Sequence, residues 1–254
     1  MQFVDPHLRR HLFGWKSPRL GLHMPIVRYG HWGPAILLFP TAGGDFLEAE
    51  RMFFIKAIEP ALFAGKLQVF SIDSINPYAW TSKLPIPHKA RNTALYSGYV
   101  EEEVVPYIRN ILNNPRARIG AMGASYGSFF AANAFFRRPD LFDTLLGMSG
   151  FYDLEAGGEL EGFFNNDVYF NNPTSFVPNL PEGETMNLLR HHSQIHLLSS
   201  VGQWERPHFT HQFSDVLSRR GIPHNKDIWG HDMPHDWTTW RAQVRHYVGE
   251  RLGL

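Results

Sequence analysis

Cysteine is absent from all 254 residues of the sequence. This absence excludes disulfide bonds, thiolate metal sites and a cysteine nucleophile, and it leaves the redox compartment open. The sequence also lacks an excess of either charge, because 24 Lys and Arg residues balance 24 Asp and Glu residues. A balanced charge argues against nucleic acid or an anionic membrane surface as a partner.

Long apolar runs are also missing, so the sequence predicts no membrane-spanning segment and no membrane partner. The segment Met1–Trp15 is polar and lacks the apolar centre of a signal peptide, and the cytoplasm is therefore the expected location. Neither repeats nor low-complexity tracts divide the chain. We therefore expect a single domain over residues 1–254, and the sequence leaves open whether it forms a homo-oligomer.

Short apolar runs alternate with helical patterns along the chain. Strands are predicted at 35–39, 67–72, 118–122, 144–148, 195–199 and 226–229. Helices are predicted at 46–58, 94–112, 128–138, 207–221 and 236–248, and Pro106 is expected to kink or split the second of them. Continuous apolar strands separated by helices are typical of a mostly parallel α/β sheet covered on both faces. Residues 19–29 are expected to add edge strands, because Pro25 suits the edge of a sheet.

Residues 151–192 match neither the strand nor the helix period. They contain paired glycines, paired asparagines and several prolines, and they follow a predicted strand. Insertions at the carboxyl ends of strands form the walls of the ligand crevice in α/β sheets. We therefore predict a loop-rich insertion beside the site, and whether it acts as a lid stays open.

The pentapeptide Gly123-Ala124-Ser125-Tyr126-Gly127 joins a predicted strand to a predicted helix. A serine at the apex of such a turn exposes its hydroxyl above the sheet, and glycines on either side avoid a collision with the neighbouring strand and helix. Ser125 is therefore the candidate nucleophile. The competing interpretation is a glycine-rich turn in which the serine only caps the helix.

A serine nucleophile needs a histidine base, which should lie in the loop after the last strand. His231 and His235 both lie there. His235 is favoured because it directly precedes the final helix, where Asp236 is a predicted cap and packing would fix the ring.

The histidine in turn needs an orienting carboxylate, which should follow the preceding strand. Glu205 is the only carboxylate between the strand 195–199 and the helix that starts at Pro207. Asp227, inside the last strand, and Asp232, in the histidine loop, are the alternatives.

Two backbone amides are expected to hold the oxyanion. One is that of Tyr126 at the start of its helix, and the other comes from the loop after strand 35–39. Ala42 is the candidate donor in that loop, with Thr41 and Gly43 as alternatives.

Two further residues are candidates for substrate contact. Asp73 follows the strand 67–72, and Trp204 is one of four tryptophans, out of seven in the chain, that lie between residues 204 and 240. A metal site formed by His231, Asp232, His235 and Asp236 is disfavoured, because Pro234 breaks the helical spacing. No metal and no cofactor are expected.

Several motifs together resemble the esterase family of α/β-hydrolases that includes esterase D (S-formylglutathione hydrolase), antigen 85 and feruloyl esterases. They are Gly123–Gly127, the segment Glu101–Pro106, Ser149–Asp153, Asn172-Pro173 and His235-Asp-Trp-Thr-Thr-Trp240. The resemblance spans about Arg19 to Tyr247 and implies an α/β-hydrolase fold, with His235 as the base and Glu205 as the acid. The oxyanion loop departs from the family pattern.

The expected function is a serine carboxylesterase that hydrolyses small-molecule esters through a Ser-His-Glu triad and an acyl-enzyme. A thioesterase, a peptidase or an acyltransferase would use the same triad, so the sequence does not separate these activities. A hydrolase fold kept as a non-catalytic binding module is the alternative outside enzymes.

Overall fold

The apolar runs of the sequence form one eight-stranded sheet in the computed structural model, which describes residues 3–251. Its strand order is β1-β2-β4-β3-β5-β6-β7-β8. Pairs β1/β2 and β2/β4 are antiparallel, and every other pair is parallel. The strands are β1 (Arg10–Lys16), β2 (His23–Tyr29), β3 (Ala35–Phe39), β4 (Gln68–Ile72), β5 (Ile119–Ala124), β6 (Phe142–Met148), β7 (Gln194–Ser200) and β8 (Asn225–Trp229).

Eleven α-helical segments surround this sheet in the described part of the chain. They are α1 (Glu48–Arg51), α2 (Phe54–Ala57), α3 (Glu59–Phe63), α4 (Ile86–Tyr99), α5 (Val105–Ile111), α6 (Tyr126–Arg137), α7 (Asn166–Tyr169), α8 (Pro173–Phe176), α9 (Glu184–His191), α10 (Pro207–Arg219) and α11 (Trp237–His246). Short 3₁₀ turns occupy Asn76–Tyr78 and Val177–Asn179, and π-helical turns occupy Val100–Val104 and Tyr247–Arg251. None of these helices is both long and apolar enough to cross a membrane within residues 3–251.

Both faces of the sheet are buried, and this explains why its central strands are mostly apolar. In β3, Leu37 packs into one core while Ile36 and Leu38 pack into the other, because successive side chains of a strand point to opposite faces. The first core receives α4, α5, α6 and α10, and the second receives α2, α3 and α11. Helices on both faces of a mostly parallel sheet confirm the predicted fold class.

The prediction for the sheet edge was wrong in one respect. At this end of the sheet the edge strand is β1, which was not predicted from the sequence, and β2 is the second strand. Pro25 is nevertheless accommodated, because β2 pairs with β4 only from Ile26 onward. Pro25 therefore lies in the half of β2 that has a single neighbouring strand.

Two predicted helices are interrupted. The expected helix 46–58 is broken into short segments, and Phe53, with φ of 58°, separates α1 from α2. The expected helix 94–112 is split before Pro106 by the π-helical turn Val100–Val104, as the proline predicted. Within the expected insertion 151–192, between β6 and β7, α7, α8, a 3₁₀ turn and α9 form short helical segments.

Candidate active site

Ser125 occupies the sharp turn between β5 and α6. Its backbone has φ of 54° and ψ of −122°, a conformation that L-residues rarely adopt. Its amide donates to the carbonyl oxygen of Met148 at 2.9 Å, which fixes the turn against the end of β6. The strained turn presents the serine hydroxyl at the carboxyl edge of the sheet.

The two flanking glycines are required by close backbone approach. A Cβ at Gly123 would lie 2.2 Å from the backbone of Gly127, and a Cβ at Gly127 would lie 2.4 Å from the carbonyl oxygen of Phe39. Contacts this short do not occur for real side chains, so both positions demand glycine. The same approach places the loop after β3 directly beside the turn.

His235 lies next to this serine. Its Nε2 is 3.2 Å from the Ser125 Oγ, within hydrogen-bond reach. The loop that carries it is anchored on both sides, because the His235 amide donates to the Gln203 carbonyl at 2.9 Å and the Asp236 carboxylate caps α11 by accepting from the Thr238 amide at 3.1 Å. The ring packs edge-on against Trp240 with centroids 5.1 Å apart.

Glu205 completes the arrangement from the loop between β7 and α10. Its Oε1 lies 3.6 Å from the Nδ1 of His235, and its side chain is only 1% exposed. Burial works to raise the pKa of Glu205, but His235 and the hydroxyls of Ser149 and Ser199 outweigh it and hold the pKa below its ordinary value. The carboxylate is therefore kept charged beside the imidazole.

The loops that carry Glu205 and His235 are packed on each other. A Cβ at Gly202 would lie 2.1 Å from the carbonyl oxygen of Met233, so only glycine allows the approach. The Ser200 hydroxyl donates to the same carbonyl. This packing fixes the separation between acid and base.

Neither alternative carboxylate takes part in this arrangement. Asp227 accepts hydrogen bonds from Trp229 at 3.0 Å and from Tyr247 at 3.1 Å. Asp232 is exposed, as is His231, and neither side chain forms a hydrogen bond or an ion pair among the described residues.

A chain of hydrogen bonds supports Glu205, and no sequence pattern predicted these bonds. The Trp240 indole donates to Ser149 Oγ at 2.9 Å, Ser149 donates to Glu205 Oε1, and Ser199 donates to Glu205 Oε2 at 2.9 Å. Ser149 has φ of 47°, a strained conformation that aims its hydroxyl from the end of β6. Second partners of this kind orient a catalytic group and keep its charge.

Replacing Ser149 with alanine should lower the free energy of unfolding at pH 7 by about 1–3 kcal/mol, because it removes a donor to a buried carboxylate. Since the pKa of Glu205 is lowered by folding, its charge stabilises the protein above its unfolded pKa, and this contribution is lost as the pH falls through its folded pKa. The difference between variant and wild type should therefore shrink toward pH ~3. Urea unfolding of both proteins at pH 7 and at pH ~3 measures the two free energies of unfolding. A difference between variant and wild type that is as large in acid as at pH 7 would contradict this prediction.

The two oxyanion candidates come from the start of α6 and from the loop after β3. The amide of Tyr126 is at the first turn of α6, where amides have no partner within the helix. In the loop after β3, the Thr41 amide donates to Glu48 at 2.9 Å. The amides of Ala42 and Gly43 donate to no acceptor among the described residues, so Thr41 is the one member of the trio already engaged.

A cavity of about 530 Å³ opens at Ser125. Trp204, which is 79% exposed and has φ of 67°, lines it. Asp73 and Ala42 do not line it. The Asp73 carboxylate accepts from the Ser74 amide at 2.9 Å, and burial raises its pKa, so its role in substrate contact stays a prediction. The lining residues are Ser125, Tyr126, Ser149, Gly150, Phe151, Gly157, Glu159, Trp204, Glu205, Arg206, Phe209 and His235.

Sequence reasoning missed most of these lining residues. Phe151, Gly157 and Glu159 belong to the irregular insertion, and Phe209 belongs to the first turn of α10. The paired glycines of the insertion marked a loop but gave no sign of which side chains would face Ser125. In the described part of the chain, no three acidic or histidine side chains are grouped so that they could hold a metal ion.

Comparison with known proteins gives no matching family model and no matching curated protein. Solved structures do match. A ferulic acid esterase has a TM-score of 0.73 at 15% identity over 95% of this chain and 96% of its own. An S-formylglutathione hydrolase from Staphylococcus aureus has a TM-score of 0.67 at 15% identity over 96% of this chain and 98% of its own.

An S-formylglutathione hydrolase from Agrobacterium tumefaciens has a TM-score of 0.68 at 13% identity, over 98% of both chains. Ferulic acid esterase and S-formylglutathione hydrolase are also among the proteins to which the sequence motifs pointed. At such low identity the likeness concerns the course of the backbone, and it confirms the predicted architecture along nearly the whole chain. The chain has the α/β-hydrolase fold.

Proposed function

We propose that this protein is a serine carboxylesterase that hydrolyses small esters through an acyl-enzyme. The observation that carries the proposal is the convergence of Ser125, His235 and Glu205 from three separate loops, with the imidazole between hydroxyl and carboxylate. A serine hydroxyl, a histidine within hydrogen-bond reach and a buried acid behind it form the general arrangement for nucleophilic acyl transfer.

In the first step, Ser125 Oγ attacks the ester carbonyl while His235 Nε2 accepts its proton. Glu205 stabilises the imidazolium that results and fixes the ring so that Nε2 faces the serine. The Ser149 and Ser199 hydroxyls keep Glu205 charged throughout the cycle. The negative charge that develops on the carbonyl oxygen is held by the amides of Tyr126 and Ala42.

In the second step, His235 gives its proton to the leaving alcohol, and the acyl group remains on Ser125. Water then enters, and its oxygen attacks the acyl carbonyl while His235 removes a proton from it. The bond between the acyl carbon and Ser125 Oγ then breaks, His235 returns the proton to the serine, and the carboxylic acid leaves. The balance of atoms requires only the ester and water. The catalytic steps therefore need neither metal nor cofactor. The cytoplasmic location and the oligomeric state stay predictions from the sequence.

A fluorophosphonate probe followed by peptide mass spectrometry tests the nucleophile, and matched ester, thioester and amide substrates test the bond class. We expect one covalent adduct, on Ser125, and the highest kcat/KM on the ester. Faster thioester cleavage would reassign the protein as a thioesterase. Lack of both adduct and turnover would leave a binding module as the better description.

A further inference from the structure

Glu159 is a charged residue of the cavity that the reaction steps do not use. It comes from the insertion, where its amide donates to the Leu154 carbonyl at 2.9 Å and the next residue, Leu160, is fully buried. Its half-buried carboxylate lines the same cavity as Ser125 and accepts a hydrogen bond from the phenol of Tyr126. The carboxylate is therefore held in place near the reacting serine.

No basic group forms an ion pair with Glu159 among the side chains that the structure describes. The Tyr126 phenol donates to it but does not neutralise it, because burial and then the bond to Glu159 raise the pKa of Tyr126 and keep the phenol protonated. Glu205, the other acid of the cavity, already faces His235 and two hydroxyls. Glu159 thus brings a negative charge that no basic side chain within residues 3–251 neutralises.

Aromatic side chains line the rest of the cavity around Glu159. The Tyr126 and Phe151 rings pack edge to face with centroids 4.7 Å apart, and Phe151 also packs against Phe209 at 6.3 Å. Trp204 stands at the rim, largely exposed. Aromatic faces attract cations, most strongly when the cation is a quaternary ammonium that sheds little water. A cavity that is lined by this carboxylate and by four aromatic side chains is a candidate site for a cation.

We propose, on the basis of the proposed function, that the preferred esters carry an ammonium or quaternary ammonium group on the part that occupies this cavity, with Glu159 as the residue that selects it. The one arginine that lines the cavity, Arg206, is exposed, so solvent and salt screen its charge. Arg206 would favour a carboxylate-bearing ester instead, and this gives the experiment its opposing outcome.

The test compares three p-nitrophenyl esters whose acyl chains have equal length and end in trimethylammonium, in the neutral tert-butyl isostere or in carboxylate. A second series carries the same three ends on the alcohol of an acetate ester. In at least one series, we expect kcat/KM for the ammonium ester to exceed that of the neutral isostere by about 10-fold, and the carboxylate ester to be the poorest. Raising the ionic strength from about 0.02 M to about 0.5 M should reduce the preference.

Glu159→Gln keeps an acceptor for the Tyr126 phenol and removes the charge. It should bring the ratio of ammonium to neutral ester to about 1–3. Glu155→Gln is the matched control, because Glu155 is an exposed carboxylate of the same segment that does not line the cavity, and it should leave the ratio unchanged.

Equal rates on ammonium and neutral esters in both series, or a carboxylate preference that Arg206→Gln removes, would overturn the specificity while the esterase function stands. Absence of turnover on all esters would overturn both proposals. If the Glu159→Gln protein does not fold, the salt dependence of the wild-type ratio decides alone, and a ratio that does not change with salt counts against the proposal.

Discussion

Replacing Ser125 with alanine is expected to lower kcat/KM for ester hydrolysis by about 10⁴-fold or more. The variant lacks the only hydroxyl that lies within reach of His235 Nε2 in the described hydrogen-bond network. The amides of Tyr126 and Ala42 and the cavity remain, so the residual rate should stay above that of the uncatalysed reaction. Initial rates of p-nitrophenyl acetate hydrolysis by purified proteins measure the loss.

Folding should survive this substitution, and its thermal midpoint provides the control. Serine and alanine share the cost of holding φ at 54°, so the two proteins should unfold at nearly the same temperature. The fluorophosphonate adduct should disappear in the variant. If the variant hydrolyses the ester as fast as wild type, another residue is the nucleophile and the proposed function loses its basis.

The sequence was sufficient to predict the centre of the sheet, and the reason is burial on both faces. β3 and β4 are buried at every position, so β3 is a continuous apolar run and β4 is apolar apart from the buried Gln68 and Ser71. β1 escaped detection because none of its residues is fully buried and its exposed positions outnumber the half-buried ones. An edge strand has only one neighbouring strand and many exposed side chains, so its sequence contains no continuous apolar run that would predict it.

Chain order explains why the candidate triad could be predicted from the sequence alone. Parallel strands end at one edge of the sheet, so loops after β5, β7 and β8 must meet there, and each offered few chemically suitable residues. The hydrogen bonds from Ser149 and Ser199 to Glu205 could not be predicted in this way. Ser149 acts through a left-handed backbone conformation, and a serine gives no sign in the sequence that it will adopt one.

The cavity wall escaped prediction for a related reason. Glu159 lies in a segment whose course is set by turns such as the bond from the Gly158 amide to the Glu155 carbonyl at 2.9 Å, and not by a strand or helix period. Periodicity tells which side of an element is buried, but an irregular segment has no such rule. The proposed specificity of the site therefore depends on the part of the sequence that is hardest to interpret.

Replacing His235 with alanine should lower kcat/KM by about 10⁴-fold or more, while the same change at His231 should leave it within about threefold. His235 Nε2 is 3.2 Å from the Ser125 Oγ, whereas His231 is exposed on the same loop. The two variants thus remove the same ring from one loop and differ in its distance from the serine. Rates on p-nitrophenyl acetate and on an alkyl acetate, measured side by side, make the comparison.

The loss in His235→Ala should be larger on the alkyl ester than on the p-nitrophenyl ester, because an alkoxide needs the proton that His235 delivers and p-nitrophenolate does not. The variant should also be less stable near neutral pH, since it leaves the buried Glu205 carboxylate, 1% exposed, with its two serine donors but without the imidazole. Equal losses on both esters would mean that His235 does not protonate the leaving group. A greater loss for His231→Ala than for His235→Ala would assign the base to His231 and require the histidine loop to rearrange when substrate binds.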